Sequence, residues 1–293
     1  MPSLLITGAS GSLGTALLER LTTAPTYDRI VVFSRDELKQ HHLRERFPDK
    51  RLRWFLGDVR DLERLTLAFH GIDHVIHAAA LKQVPAGEYN PSEFIRTNIL
   101  GTMNVCLAAL GSSVSKVLLV STDKAVSPVN LYGATKLCAE RFVLAANNYS
   151  GAQGCAFSVV RYGNVAGSRG SVIPLFREKL AQGQALPITD PNATRFWITL
   201  PQAAAFVLEK LAAMQGRETF VPKMPSVRLK DLVMALLSPG AVATPIGLRP
   251  GEKLHETVVA EFEHLEGLPS PYCSDTNTEW LEGDALREAL ANV

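Results

Sequence analysis

A strong charge of either sign is missing from this 293-residue chain, whose lysines and arginines outnumber its acids by one for a formal charge of +1. Without a basic stripe there is no electrostatic footprint for nucleic acid or an anionic lipid surface, and a small charged metabolite is the expected partner. Cysteine is scarce as well. Cys106, Cys138, Cys155 and Cys273 are widely spaced with no C-x-x-C, which reads as reduced packing residues in a cytoplasmic protein and supplies no metal-ligand spacing. No apolar run approaches the ~18 residues of a membrane span, and a strand pattern opens almost at once at Ser3, so neither a membrane anchor nor secretion is expected. Internal repeats, low-complexity tracts and charge blocks are also absent. What remains is ordinary globular content, 46% hydrophobic and 20% charged, enough for one large domain or one domain with an appended lobe.

From residue 3 to about 162, short apolar runs alternate with longer helical patterns. Strands are expected at Leu4–Thr7, Ile30–Ser34, Leu52–Leu56, His74–His77, Lys116–Ser121 and Ala156–Tyr162. Helices are expected near Leu13–Thr22, Glu37–Phe47, Leu62–Phe69, Pro91–Leu110 and Tyr132–Asn148. This rhythm predicts an α/β fold, a doubly wound parallel sheet of the Rossmann type, with ligands at the carboxyl ends of its strands. After Gly163 the rhythm breaks, and glycines and prolines, Pro174, Pro201, Pro239 and Pro250 among them, punctuate shorter elements. The expected division is therefore a dinucleotide-binding domain over 1–163 that carries the catalytic residues, and a smaller C-terminal substrate lobe over 164–293.

ITGASGSLG joins the first strand to the first helix, and its Gly8, Ser10, Gly11, Ser12, Leu13 and Gly14 are candidates for holding a dinucleotide pyrophosphate on backbone N–H groups. The second strand ends Ser34-Arg35 with Lys39 one turn on, where an NAD site would usually place an acid for the ribose 2′-hydroxyl. A cation pair there attracts a 2′-phosphate, which favours NADP; the alternative is a pair of solvated surface charges. Asp58 and Val59 follow the third strand, where Asp58 is either an adenine contact or an ordinary turn aspartate. Ala78 and Ala79, after the fourth strand, offer small side chains under a ribose, and Lys82 reaches toward cofactor or sugar. His77 reads as a core or edge histidine. Val165 is a further cofactor candidate.

STDKAVSPVNLYGATK crowds titratable groups at the end of the fifth strand. Tyr132 and Lys136 are four apart and share a helix face. The spacing alone is a weak signal, but it opens the helix on the same sheet edge as the glycine loop. An ammonium beside a phenol favours phenolate, and oxidised nicotinamide would add positive charge. Tyr132 is thus a candidate base for a sugar hydroxyl.

The glycine loop, S-T-D-K and Y-G-A-T-K together resemble the extended short-chain dehydrogenase/reductase superfamily, most closely its soluble inverting UDP-N-acetylglucosamine 4,6-dehydratases. The resemblance continues through SRDELKQ, AALKQVPAGEYNP, RYGNVAGSRGSVIPLF, ITDPNATRFWIT and GLRPGEKLHE, over roughly residues 3–260; the tail after Glu261 departs from it. It implies oxidation of the sugar at carbon 4 through bound NADP, removal of the carbon 5 proton, loss of the carbon 6 hydroxyl and return of the hydride to carbon 6. Lys124 is then the candidate carbon 5 base, with Tyr132 as the alternative, Asp123 the acid, and Thr122 or Ser121 the partner of the carbon 4 oxygen. Arg195 and Arg249 match what the family uses for a nucleotide-sugar diphosphate. Asn164, Arg177 and Glu252 are further substrate candidates, each with a structural alternative, and Lys82 is another. A homo-oligomer, by resemblance a hexamer, is expected, with Leu43 to Trp54 as a contact surface. The rivals are a nucleotide-sugar 4-epimerase, which needs only tyrosine, lysine and cofactor, and a non-catalytic NADP-binding regulator.

Overall fold

The computed structural model describes residues 1–151, 154–237 and 242–293, so Pro239 lies outside it. In chain order the first half runs β1 Ser3–Thr7, α1 Ser12–Thr23, β2 Arg29–Ser34, α2 Glu37–Arg46, β3 Leu52–Leu56, α3 Leu62–Ala68, β4 His74–His77, α4 Val84–Tyr89, α5 Pro91–Phe94, a π-turn over Ile95–Leu100, α6 Gly101–Leu110, β5 Lys116–Val120, α7 Leu131–Ser150 and β6 Ala156–Val160. The second half adds β7 Asn164–Ala166, α8 Val172–Ala181, β8 Leu186–Ile188, β9 Thr194–Thr199, α9 Leu200–Ala213, β10 Thr219–Phe220, β11 Ser226–Arg228, α10 Leu229–Leu236, β12 Ala243–Pro245, β13 Thr257–Val259, β14 Tyr272–Cys273 and α11 Gly283–Ala291.

Seven strands form one parallel sheet in the order β10-β6-β5-β4-β1-β2-β3. Alternation along each strand sends its side chains to two cores. Leu4 and Ile6 pack with Leu17, Leu18 and Val207 on one face, while Leu5 packs with Val105, Val143 and Phe157 on the other. Strands buried on both faces read as continuous apolar runs, which is why they were legible. The helix expected over Pro91–Leu110 runs through without a break and contains the π-turn, a device that inserts a residue and re-aims side chains, and here both Thr97 and Asn98 are buried.

A single division at residue 163 does not separate this sheet from the rest. β10 pairs with β6 as the seventh strand, and Val207 and Leu211 of α9 join the core beneath the sheet. The smaller lobe comprises the three-stranded sheet β11-β9-β7, the pairs β8–β12 and β13–β14, and helices α8, α10 and α11. Its own core gathers Ile173, Trp197, Val227, Leu232, Leu286 and Leu290. The tail that departs from the resemblance docks there as α11.

Two expectations are corrected. Leu43, Phe47 and Leu52, expected on a contact surface, are buried in the chain's own core. Cys138 faces solvent from α7 instead of packing, although all four cysteines are unpaired. Among the described residues no helix is long and apolar enough to cross a membrane, and no group of His, Cys, Asp and Glu is placed to hold a metal ion.

Candidate active site

At the carboxyl end of the sheet lies a cleft of about 1010 Å³ whose floor is the β1–α1 loop. Gly8 has φ +69°, and a Cβ there would stand 2.7 Å from the Ala79 nitrogen, so only glycine lets the β1 and β4 ends meet. Helix α1 begins at Gly11 with no side-chain cap, leaving its first N–H groups available to an anion in the cleft. Ser10, Ser12, Leu13, Gly14, Ser34, Arg35, Lys39, Val59, Ala78, Ala79, Lys82 and Val165 all line the same space.

Asp58 sits in the turn after β3. Its carboxylate bonds Arg60 at 2.7 Å and lies 3.5 Å from Arg35, so it is a turn aspartate tied to two cations, and the cleft is lined by its neighbours Gly57 and Val59. Asp36, unremarked in the sequence, caps α2 and pairs with Lys39, offsetting one of the two expected cations. Arg35 stays half exposed at the rim. Sequence reasoning also missed Arg169: it reaches the β1–α1 loop from beyond β7, its backbone N–H donating to Ser12 Oγ at 3.1 Å and its guanidinium to the Ser10 carbonyl. Only tertiary folding places it there.

The catalytic candidates gather where β5 ends. Thr122 caps a single 3₁₀ turn over Asp123–Ala125 and donates to Asp123 Oδ1 at 2.9 Å. Asp123 N–H donates to the Tyr162 carbonyl at 3.0 Å, which turns the carboxyl inward until it is fully buried. Asn130 caps α7, so Tyr132 and Lys136 rise from its first two turns. Lys124 Nζ lies 3.1 Å from Asp123 Oδ1 and 3.0 Å from Glu256 Oε1.

Burial pushes the Asp123 carboxyl up, Glu256 adds repulsion, and the Lys124 and Thr122 contacts do not offset them. Lys124 goes the other way: burial opposes its charge, but the two carboxylates outweigh it and hold it as an ammonium above the ordinary lysine range. Tyr132 is pushed up to about 12 by burial, opposed by Lys124 and the Thr122 hydroxyl. Lys136, expected to supply the cation beside the phenol, is lowered by burial to about 8 and donates to the Val120 carbonyl at 2.8 Å. The cation acting on Tyr132 is Lys124. His77 is the core histidine expected; burial and the nearby Lys136 depress it to about 3, and its ring bonds Thr7 and Thr102.

A second cleft, about 330 Å³, opens into the smaller lobe and meets the first at Lys82, Lys124, Asn164 and Val165. Arg195, Arg249, Glu252 and Glu256 form its polar side, and Val172, Phe176, Trp197 and Leu232 its apolar side. Glu252 bonds both arginines, Arg195 at 3.0 Å and Arg249 at 3.3 Å. Asn164 Oδ1 is buried without a partner. Arg177 is not brought here: its guanidinium donates to the Val293 and Leu290 carbonyls at 2.9 and 2.6 Å, capping the end of α11.

This geometry has known counterparts. The profile of a family described as polysaccharide biosynthesis protein matches residues 4–273. The chain belongs to this family. A relative from Campylobacter jejuni subsp. jejuni serotype O:23/36 (strain 81-176), a UDP-N-acetylglucosamine 4,6-dehydratase (inverting), is 49% identical over 90% of this chain and 79% of its own length. A UDP-glucose 4-epimerase from Rickettsia massiliae (strain Mtu5) is 41% identical over 89% of this chain and 78% of its own. Among solved structures, Pen from Bacillus thuringiensis superposes with a TM-score of 0.93 at 36% identity, covering 100% of this chain and 98% of that one. In this family member, the doubly wound sheet and the resemblance read from the motifs both hold.

Proposed function

We propose that this chain dehydrates UDP-N-acetylglucosamine across carbons 5 and 6 with inversion at carbon 5, giving a UDP-4-keto-6-deoxy-N-acetyl-L-hexosamine. The observation that carries the reading is the buried carboxyl of Asp123 set 3.1 Å from the Lys124 amine at the junction of the two clefts, beside Tyr132. The two clefts suit the two ligands this chemistry needs.

The first cleft, with its uncapped helix and glycine floor, fits NADP, which when bound accepts a hydride from carbon 4 and later returns it to carbon 6, leaving no net redox change. Gly8, Ser10, Gly11, Ser12, Leu13 and Gly14 would hold its pyrophosphate, Ala78 and Ala79 a ribose, and Arg35 a 2′-phosphate, with Lys39 contributing less because Asp36 pairs with it. In the second cleft Arg195 and Arg249 would take the diphosphate, replacing the carboxylate of Glu252 as their partner, and the apolar side would take the base.

Tyr132 takes the carbon 4 hydroxyl proton, with Thr122 bonded to the same oxygen. The ketone so formed acidifies the carbon 5 proton, and Lys124 removes it in the neutral form left once its ammonium has given a proton to solvent. Asp123, whose carboxyl burial pushes up, serves in its protonated form as the acid for the departing carbon 6 hydroxyl. Reprotonation of carbon 5 from the opposite face inverts that centre.

A 4-epimerase needs the tyrosine, the lysine and the cofactor, but has no step for a buried acid and amine pair; a non-catalytic regulator needs neither. The reading includes a cytoplasmic homo-oligomer. Incubating the purified protein with UDP-N-acetylglucosamine and weighing the product tests the proposal: loss of one water supports it, and an isomer of unchanged mass contradicts it.

A further inference from the structure

Glu256 was not singled out in the sequence, yet it is 2% exposed and its Oε1 stands 3.0 Å from Lys124 Nζ and 3.9 Å from Arg195 Nε. Its place is built from two sides. Its N–H donates to Ser274 Oγ at 2.8 Å, and the Ser274 N–H returns a bond of 2.8 Å to the Glu256 carbonyl. Behind it, buried Arg161 donates to the Val258 carbonyl at 3.0 Å while bonding Glu140 of α7 at 2.7 Å, which ties β13, directly after Glu256, to the helix carrying Tyr132. Glu256 Oε2 and Asp123 Oδ2 are both buried without a partner.

We infer that Glu256 is a positioning residue: it fixes the Lys124 amine at the junction of the two clefts and sets the pH at which that amine gives up its proton. The inference rests on the reading of Lys124 as the carbon 5 base. Lys124 faces Asp123 on its own turn, Glu256 ahead of β13, and the cation Arg195 on β9; Tyr132 of α7, with Lys82 and Lys253, completes the charged surroundings. Asp123 and Glu256 both act on the amine; burial pushes the Asp123 carboxyl up, whereas Lys124 and Arg195 hold Glu256, 3.0 Å from the amine, below its ordinary carboxylate value against the push of burial. A base so strongly paired is protonated at neutral pH, and its free fraction rises as pH rises. Removing the charge of Glu256 lowers the proton affinity of Lys124 and moves the acid limb of carbon 5 exchange to lower pH.

The test is a titration of the full chain labelled with ¹⁵N-lysine, with the Lys124 Nζ resonance assigned by its loss in Lys124→Arg. In the native protein it should titrate above ordinary lysine. In Glu256→Gln it should fall by about 1 to 3 pH units, the effect of one close opposite charge, and in Glu256→Asp it should stay high. The acid limb of carbon 5 deuterium exchange should move down with it. An unchanged Lys124 titration in Glu256→Gln overturns the inference, and so does a lowered titration with an unmoved exchange limb. If Glu256→Gln does not fold, Lys124→Met reads the pair from the other side: the ¹³C-labelled Glu256 carboxyl, assigned by its loss in Glu256→Asp, should titrate higher, and no change contradicts the pairing. A shifted Lys124 in a protein that does not dehydrate the sugar leaves the pairing standing and overturns the base role along with the proposed reaction.

Discussion

The backbone of Gly133 lies so close to Lys124 that a Cβ at residue 133 would stand 2.1 Å from the Lys124 carbonyl oxygen. The first turn of α7, which carries Tyr132, is thereby pressed against the turn that carries the acid and the amine. Gly133→Ala must push the two apart. Its fold should survive with a loss of about 1–3 kcal/mol by denaturant titration, the usual cost of overpacking. Turnover should fall by ~10², as expected when reacting groups are misplaced by about an ångström.

The parallel strands and the glycine loop were legible because their signals are local: doubly buried strands are continuous apolar runs, and a tight turn against Ala79 requires glycine at residue 8. Asp123, Lys124 and Tyr132 could be read as a crowd of titratable groups at one strand end, while the acid and base roles of Asp123 and Lys124 came from the resemblance. Glu256 and Arg169 reach the site from other elements far along the chain and leave no spacing to read. Arg177, open between a substrate contact and a structural residue, caps α11, because an arginine's type does not reveal which carbonyls the fold sets beside it. The return of β10 to the main sheet was hidden by its length, two residues.

Arg35 should determine cofactor preference. The native protein should bind NADP more tightly than NAD, and Arg35→Ala should weaken NADP about tenfold or more, the worth of a charge-assisted bond, while leaving NAD nearly unchanged. Calorimetric titration with both cofactors measures this; equal native affinities contradict it.

Arg161, buried between Glu140 and Glu263, should be a keystone of stability. Arg161→Met leaves Glu140 buried without its cation and should cost about 3–5 kcal/mol by chemical denaturation. The pair also predicts a pH dependence. Burial raises the Glu263 carboxyl, but the hydrogen bonds from Arg161 and from the Ala260 N–H outweigh it and hold the group below its ordinary value. A depressed folded-state value stabilises the protein above the unfolded carboxyl range, and that contribution is lost as pH falls through the folded value. Native stability should therefore fall on acidification below about pH 4.5, more steeply than that of Arg161→Met.

The two halves of the reaction should separate genetically. Tyr132→Phe should block carbon 4 oxidation, so that a single turnover shows no cofactor reduction and no water loss. Lys124→Ala should still oxidise carbon 4 while carbon 5 exchange and water loss drop by the ~10² to 10⁴ typical of a lost general base. Asp123→Asn should keep carbon 5 exchange and block departure of the hydroxyl. Native-rate exchange in Lys124→Ala would transfer the base role to Tyr132.

The central claim is that Asp123 and Lys124 turn an oxidised sugar into an eliminated and inverted one. NMR of the product formed from UDP-N-acetylglucosamine by the native protein in heavy water tests it most directly. The predicted spectrum is that of a 4-keto-6-deoxy sugar carrying deuterium at carbon 5 in the inverted configuration. A carbon 4 epimer that keeps its carbon 6 hydroxyl and its original carbon 5 proton would contradict the claim.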